Sequence, residues 1–160
     1  MTVDWAGWAA FGLVATILLT GIMIAAQMAG LSRLDLPLLL GLLVTPDPDH
    51  ARAAGFVIHL GMGQVFALGY AAVFAVLNMA TWWLGAILGL VHVTIALAAL
   101  VPLLAGVNPR MASYRAGPSS RAVLEPPGLF GLNYGIQTPL VAVVAHLAYG
   151  IALGLLLRPR

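Results

Sequence analysis

The stretch that decides the fold runs from Ala53 to Pro109: AAGFVIHLGMGQVFALGYAAVFAVLNMATWWLGAILGLVHVTIALAALVPLLAGVNP. Its 57 residues include no Asp, Glu, Lys or Arg. A helix needs about 20 apolar residues to cross the hydrocarbon of a bilayer, so this stretch holds two crossings. Asn78, Met79, Ala80 and Thr81 mark the turn between them, and Trp82 and Trp83 follow it at interface depth. The apolar runs are continuous, which suits helices rather than the alternating pattern of membrane strands.

Two further charge-free runs lie on either side, from Trp5 to Ser32 and from Pro126 to Leu157. Each holds one crossing. The sequence therefore predicts an all-α integral membrane four-helix bundle, a single transmembrane domain over residues 1–160, with spans at about 8–31, 54–77, 82–104 and 136–157. Composition agrees: 62% of residues are hydrophobic and 8% charged, where a soluble domain is near a quarter charged. The start, Met1-Thr2-Val3-Asp4, lacks a basic region, so no cleaved signal peptide is expected.

Between the first two spans, Leu36-Pro37-Leu38-Leu39-Leu40-Gly41-Leu42-Leu43-Val44 is too short to cross. It reads as an interfacial or shallow re-entrant helix, or as a short helix capping the bundle. Asp47, Asp49 and His50 read as a turn and cap leading into the second span. The segment 105–135 carries Arg110, Arg115, Arg121 and Glu125 and is long for a connection in so small a protein. Five arginines (Arg33, Arg52, Arg110, Arg115 and Arg121) lie in loops on one side, against Arg158 and Arg160 beside the termini. The positive-inside rule then places the long loops in the cytoplasm and both termini outside. Arg110, Arg115 and Arg121 are candidate contacts for lipid phosphate or an acidic partner surface. Seven dispersed arginines are no footprint for nucleic acid.

Each span carries small or polar residues at steps of three and four, which places them on one helix face. Gly85-xxx-Gly89 and Gly150-xxx-Gly154 have the spacing that lets membrane helices approach closely. His92 and His146 sit on such faces, each roughly 13 to 20 Å from the cytoplasmic edge at about 1.5 Å per residue. A histidine inside a span needs partners. Two readings stand: the rings are the axial pair of a haem b, with Gly89 and Gly150 making room for the flat ring, or each ring donates to a nearby carbonyl or threonine and locks helix contacts. His59 lies nearer the edge, and the spans hold no carboxylate to complete a metal site. Cysteine is absent, which removes disulfides, thiolate nucleophiles and thiolate metal sites. The serines Ser32, Ser113, Ser119 and Ser120 are in loops, outside any nucleophile motif.

The segments Asp35-Leu36-Pro37-Leu38-Leu39-Leu40-Gly41, Asn108-Pro109-Arg110-Met111, Glu125-Pro126-Pro127-Gly128 and His146-Leu147-Ala148-Tyr149-Gly150 resemble a group of small bacterial membrane proteins of unassigned activity. The last is also similar to part of the broader YagU-like membrane family. The resemblance implies a bacterial inner-membrane protein and brings no substrate, cofactor or site residue with it.

The expected function is that of a non-enzymatic accessory or structural subunit, packing against lipids and a larger membrane complex or further copies of itself. The alternatives are a haem b electron-transfer subunit using His92 and His146, and an oligomeric transporter of small solutes or ions.

Overall fold

The computed structural model describes residues 3–112 and 124–157. Among them are six α-helices and no strand: α1 (Trp5–Met28), α2 (Leu36–Gly41), α3 (Pro48–Leu77), α4 (Trp82–Ile95), α5 (Val101–Val107) and α6 (Thr138–Leu156). A π-helical turn, Ala96–Leu100, joins α4 to α5, and a 3₁₀ segment, Leu129–Tyr134, precedes α6. Four stretches are long and apolar enough to cross a membrane: Trp5–Met28, Pro48–Leu77, Trp82–Val107 and Thr138–Leu156. The chain is thus an all-α, multi-pass membrane protein.

Local chemistry sets the ends of these helices. Gly30, at φ 72°, ends α1, with Gly30 N–H bonded to the Gln27 carbonyl and Leu31 N–H to that of Ala26. Asn78, at φ 49°, ends α3 with the same paired bonds, to Ala75 and Phe74. This left-handed stop satisfies the last carbonyls of a helix, and Asn is the residue after Gly that tolerates it best. The first crossing therefore stops three residues short of the expected Leu31. The second starts earlier than expected, at Pro48, because its polar lead-in is also helical. Thirty residues span roughly 45 Å, more than the hydrocarbon thickness of about 30 Å, so the turns bearing Asp49, His50 and Arg52 need not enter it.

The widened turn in the third span has a covalent cause. Pro102 has no N–H to offer the carbonyl four residues back. The helix adjusts one residue earlier, where Val101 N–H bonds to the Ala96 carbonyl five residues back.

The chain divides into two compact units. The bundle unit comprises Met1–Ala25, Leu60–Val93 and Ala142–Arg160, and the loop unit comprises Ala26–His59 and Thr94–Val141. The bundle unit is a four-helix bundle of α1, α3, α4 and α6. In it Gly85 lies against the Gly150 carbonyl and Gly150 against that of Gly85, Gly89 faces the His146 carbonyl, and Gly154 faces that of Thr81. The paired numbers fall on one helix as they rise on the other, so α4 and α6 are antiparallel. On the α1–α3 side Gly12 faces Gln64 and Ala67, and Gly63 faces Thr16. The core between these seams holds Leu19, Phe74, Ala145, Tyr149 and Leu153, all buried. All four tryptophans (Trp5, Trp8, Trp82 and Trp83) belong to this unit, and Trp8 Nε1 donates to the Gln64 carbonyl at 2.9 Å.

The loop unit is built around α2. Asp35 caps it by accepting from Leu38 N–H at 2.9 Å. It lies antiparallel along the first turns of α3, with Gly41 against the Ala51 carbonyl and Gly55 against the Pro37 carbonyl. Its own Leu39 and Leu40, and Leu42 at its end, are buried. The Asn108 amide donates to the Leu39 carbonyl at 3.0 Å, and Arg110 donates to that of Leu42 at 2.6 Å. Ser32 and Thr138 share a buried hydroxyl–hydroxyl bond of 2.8 Å. Arg33 pairs with Glu125 at 2.9 Å and also donates to the Asn133 carbonyl. Arg52 pairs with Asp35 at 2.9 Å.

Candidate intramembrane histidine site

On α3, Phe66, Tyr70 and Phe74 recur every fourth residue and so share one face. On α6, His146 and Tyr149 stand three apart and do the same. His92 on α4 meets both sets. Its ring stacks on Phe66 with centroids 3.6 Å apart and planes 20° apart. It meets His146 edge to face at 4.6 Å and 88°. Tyr149 lies 5.4 Å from His92 and Tyr70 6.1 Å. The result is a tyrosine- and phenylalanine-lined pair of imidazoles, each 7% exposed, inside the bundle unit.

Four polar side chains of this unit, His146, Tyr149, Thr16 and Thr20, turn toward backbone carbonyls. His146 Nδ1 lies 2.8 Å from the Ala142 carbonyl, one turn back on α6. A carbonyl only accepts, so Nδ1 carries the proton and Nε2 keeps its lone pair. The Tyr149 hydroxyl donates to the Gly63 carbonyl at 2.6 Å, tying α6 to α3. Thr16 and Thr20 donate to the carbonyls of Gly12 and Thr16, both at 2.7 Å. This is the way a hydroxyl inside a membrane helix satisfies itself.

The arrangement does not fit an axial haem pair. Metal–imidazole bonds of about 2 Å on both faces of a porphyrin hold the ring centres about 6 Å apart, with the porphyrin between them. Here the rings touch. The glycines beside the histidines bring α4 and α6 together instead of leaving space for a flat ring: a Cβ on Gly89 would stand 2.6 Å from the His146 carbonyl oxygen. His59 is buried in the loop unit. Among the described residues no three His, Asp or Glu side chains gather as metal ligands.

Of the three candidate contact arginines, Arg110 is engaged with the end of α2 through the Leu42 carbonyl, and its own N–H bonds to Asn108 Oδ1 at 3.0 Å. Arg115 and Arg121 lie outside the described residues. The aromatic partners of the histidines, Phe66, Tyr70 and Tyr149, are not among the residues that sequence spacing singles out. The four-residue recurrence of Phe66, Tyr70 and Phe74 is the signal that could have found them. Asn108 carried no such signal, since its amide acts on a residue 69 positions away.

Outside the spans, two groups are electrostatically tuned. The Asp47 carboxyl is held below the ordinary aspartate value of 3.8, first by the His50 ring and then by the N–H groups of Asp49 and His50. Tyr134, which donates to the Glu125 carbonyl at 2.6 Å, is pushed up to about 12 by burial and the Glu125 charge, with Arg33 opposing. Comparisons with protein families, curated proteins and solved structures return no match.

Proposed function

We propose that the chain is a non-enzymatic subunit of a bacterial inner-membrane complex, packing through its spans against partner helices and lipids. The carrying observation is a contrast within the bundle unit between glycine rows that are filled and one that is open. On α4 and α6 the glycines at four-residue steps hold neighbouring backbones in contact. On α3 the exposed row is Gly61, Val65, Gly69, Ala72 and Val76, and a Cβ on Gly61 or Gly69 would meet nothing within 4 Å. Lipid tails are as apolar as leucine, so helices in a bilayer associate through close packing, which small residues permit. An outward row of that kind suits a helix outside the chain. The inward commitment of the His146, Tyr149, Thr16 and Thr20 polar groups to backbone carbonyls supports the same reading.

The test is the size of the protein drawn from native membrane in a mild detergent. The expected result is an assembly well above the 16.7 kDa of one chain. Replacing Gly61 and Gly69 with Leu should disperse it while the helical signal stays unchanged. A wild-type protein that sediments as a lone chain overturns the proposal.

Orientation belongs to the same reading. The exposed arginines of the loop unit, Arg33 and Arg52, are taken to face the cytoplasm and its anionic lipids. Because the chain has no cysteine, single cysteines introduced at Thr45 and Met79 give a clean labelling test of sidedness.

A further inference from the structure

Tyr70 is 4% exposed, and its hydroxyl has no hydrogen-bond partner among the described residues. A buried hydroxyl left unpaired is costly, and more so where no bulk water competes. A phenylalanine would fill the same space without that cost. The groups around the ring are nevertheless polar. Tyr149 lies 5.4 Å away edge to face and His92 6.1 Å away, with His146 beyond it at 4.6 Å. Acceptor capacity lies within this cluster: the Tyr149 oxygen, whose proton goes to Gly63, and His146 Nε2, whose opposite nitrogen goes to Ala142. A buried donor with no direct partner, on a ring packed beside groups that can accept, is an arrangement in which a water molecule makes the link.

We propose that the tyrosine–histidine cluster of the bundle unit is a binding site for a resident water, which accepts from the Tyr70 hydroxyl and donates into the cluster. Buried waters typically make two to four such bonds and are costly to remove. The bound water turns a set of packing contacts into one connected polar network inside the hydrocarbon. It also explains why tyrosine stands here. The inference does not depend on the chain being part of a complex.

The test uses the full chain in lipid bilayers. Infrared difference spectra in ordinary and ¹⁸O-labelled water should show an isotope-sensitive O–H stretch from an internal water, and Tyr70→Phe should abolish it. The same variant should unfold at a temperature lower by about 3 °C. A Tyr70→Phe protein as stable as wild type, or more so, overturns the proposal, because it means that the hydroxyl is unpaired in the folded protein. A destabilised variant with no isotope-sensitive band in the wild type also overturns it, in favour of a direct side-chain bond. A band that survives the substitution places the water elsewhere and overturns it too.

Discussion

The two units of this protein are held together by opposite means. In the bundle unit the decisive contacts are made where side chains are missing. Gly85 and Gly150 face each other's carbonyls, and Gly63 receives the Thr16 side chain. In the loop unit the decisive contacts are made by side chains that reach across: Asn108 to Leu39, Arg110 to Leu42, Ser32 to Thr138 and Arg33 to Glu125. The difference follows from where backbone polar groups find partners. A spanning helix satisfies its own N–H and C=O groups, so its neighbours need only approach. A short helix and its loops leave carbonyls uncovered, and some donor must meet each one that is buried. The bundle unit should therefore suffer from added atoms, and the loop unit from removed ones.

Gly85→Ala gives the sharpest test of that division and the largest expected effect. The new methyl overlaps the Gly150 carbonyl, which is backbone and cannot turn aside. Overpacking of this kind costs about 3 kcal/mol, read as an earlier midpoint in unfolding by denaturing detergent. In the isolated chain, Gly61→Ala makes the same chemical change on the open row of α3 and should stay within about 0.5 kcal/mol of wild type. Equal effects from the two substitutions would break the comparison.

The loop unit should respond to deletion. Asn108 is buried, and its amide both donates to the Leu39 carbonyl and accepts from Arg110 N–H. Asn108→Ala leaves a buried carbonyl without its donor, a loss of about 1 to 3 kcal/mol. The effect should stay local, with faster amide exchange across α2 and unchanged exchange in the seam between α4 and α6. Loss of protection throughout the bundle would mean that the loop unit's bonds hold more than their own segment.

The division also explains how far the sequence could be read. The crossings were legible because hydrocarbon excludes charge, and the runs without Asp, Glu, Lys or Arg mark them directly. The turn at Asn78 and the cap at Asp47 were legible because their chemistry is local. Which helix face turns inward was not. A helix in lipid is apolar all round, so Gly61 and Gly69 look like Gly85 and Gly89 in sequence, yet one pair is open and the other filled. The same ambiguity touches the histidines: a glycine one turn away can make room for a cofactor or for a backbone, and here it makes room for a backbone. The long-range donors of the loop unit were hidden because no spacing rule links Asn108 to Leu39. The charged turns at the start of α3 follow the cap at Asp47 directly: charge there marks the end of the hydrocarbon, not the end of the helix.

A smaller effect separates the units by pH. Tyr134 closes the loop around Glu125, and its pKa, at about 12, is raised from the ordinary 10.0. A raised value means that the folded loop holds the proton more tightly than the unfolded one. Its contribution is complete below pH 10 and is lost as the pH climbs toward 12. Tyrosinate absorbance compared between wild type and Tyr134→Phe should place this group's ionisation near 12. Loosening of the 3₁₀ segment should follow only above pH 10. Ionisation of Tyr134 at the ordinary value would show that burial and the Glu125 charge do not act on it.

The smallest effect lies at the opposite end of the pH scale, at the start of α3. Asp47 accepts from Asp49 N–H at 2.9 Å and lies 2.7 Å from the His50 ring. Both contacts favour the charged carboxylate, so its pKa is depressed. A depressed value gives stability that is present above the ordinary 3.8 and disappears as the pH falls through the lower, folded value. The carboxylate is exposed to solvent, which screens the effect, so only the first turn of α3 should fray. The carboxyl carbon shift of Asp47, followed by NMR in acid, should titrate below 3.8, and His50→Ala should move the midpoint up. Asp47→Asn keeps a side-chain oxygen for the cap and should leave the helix start intact while removing the titration. If acid instead disturbed the contacts of the bundle unit, the exposed turn and the glycine-packed spans would be coupled, and the contrast between the two units would have to be redrawn.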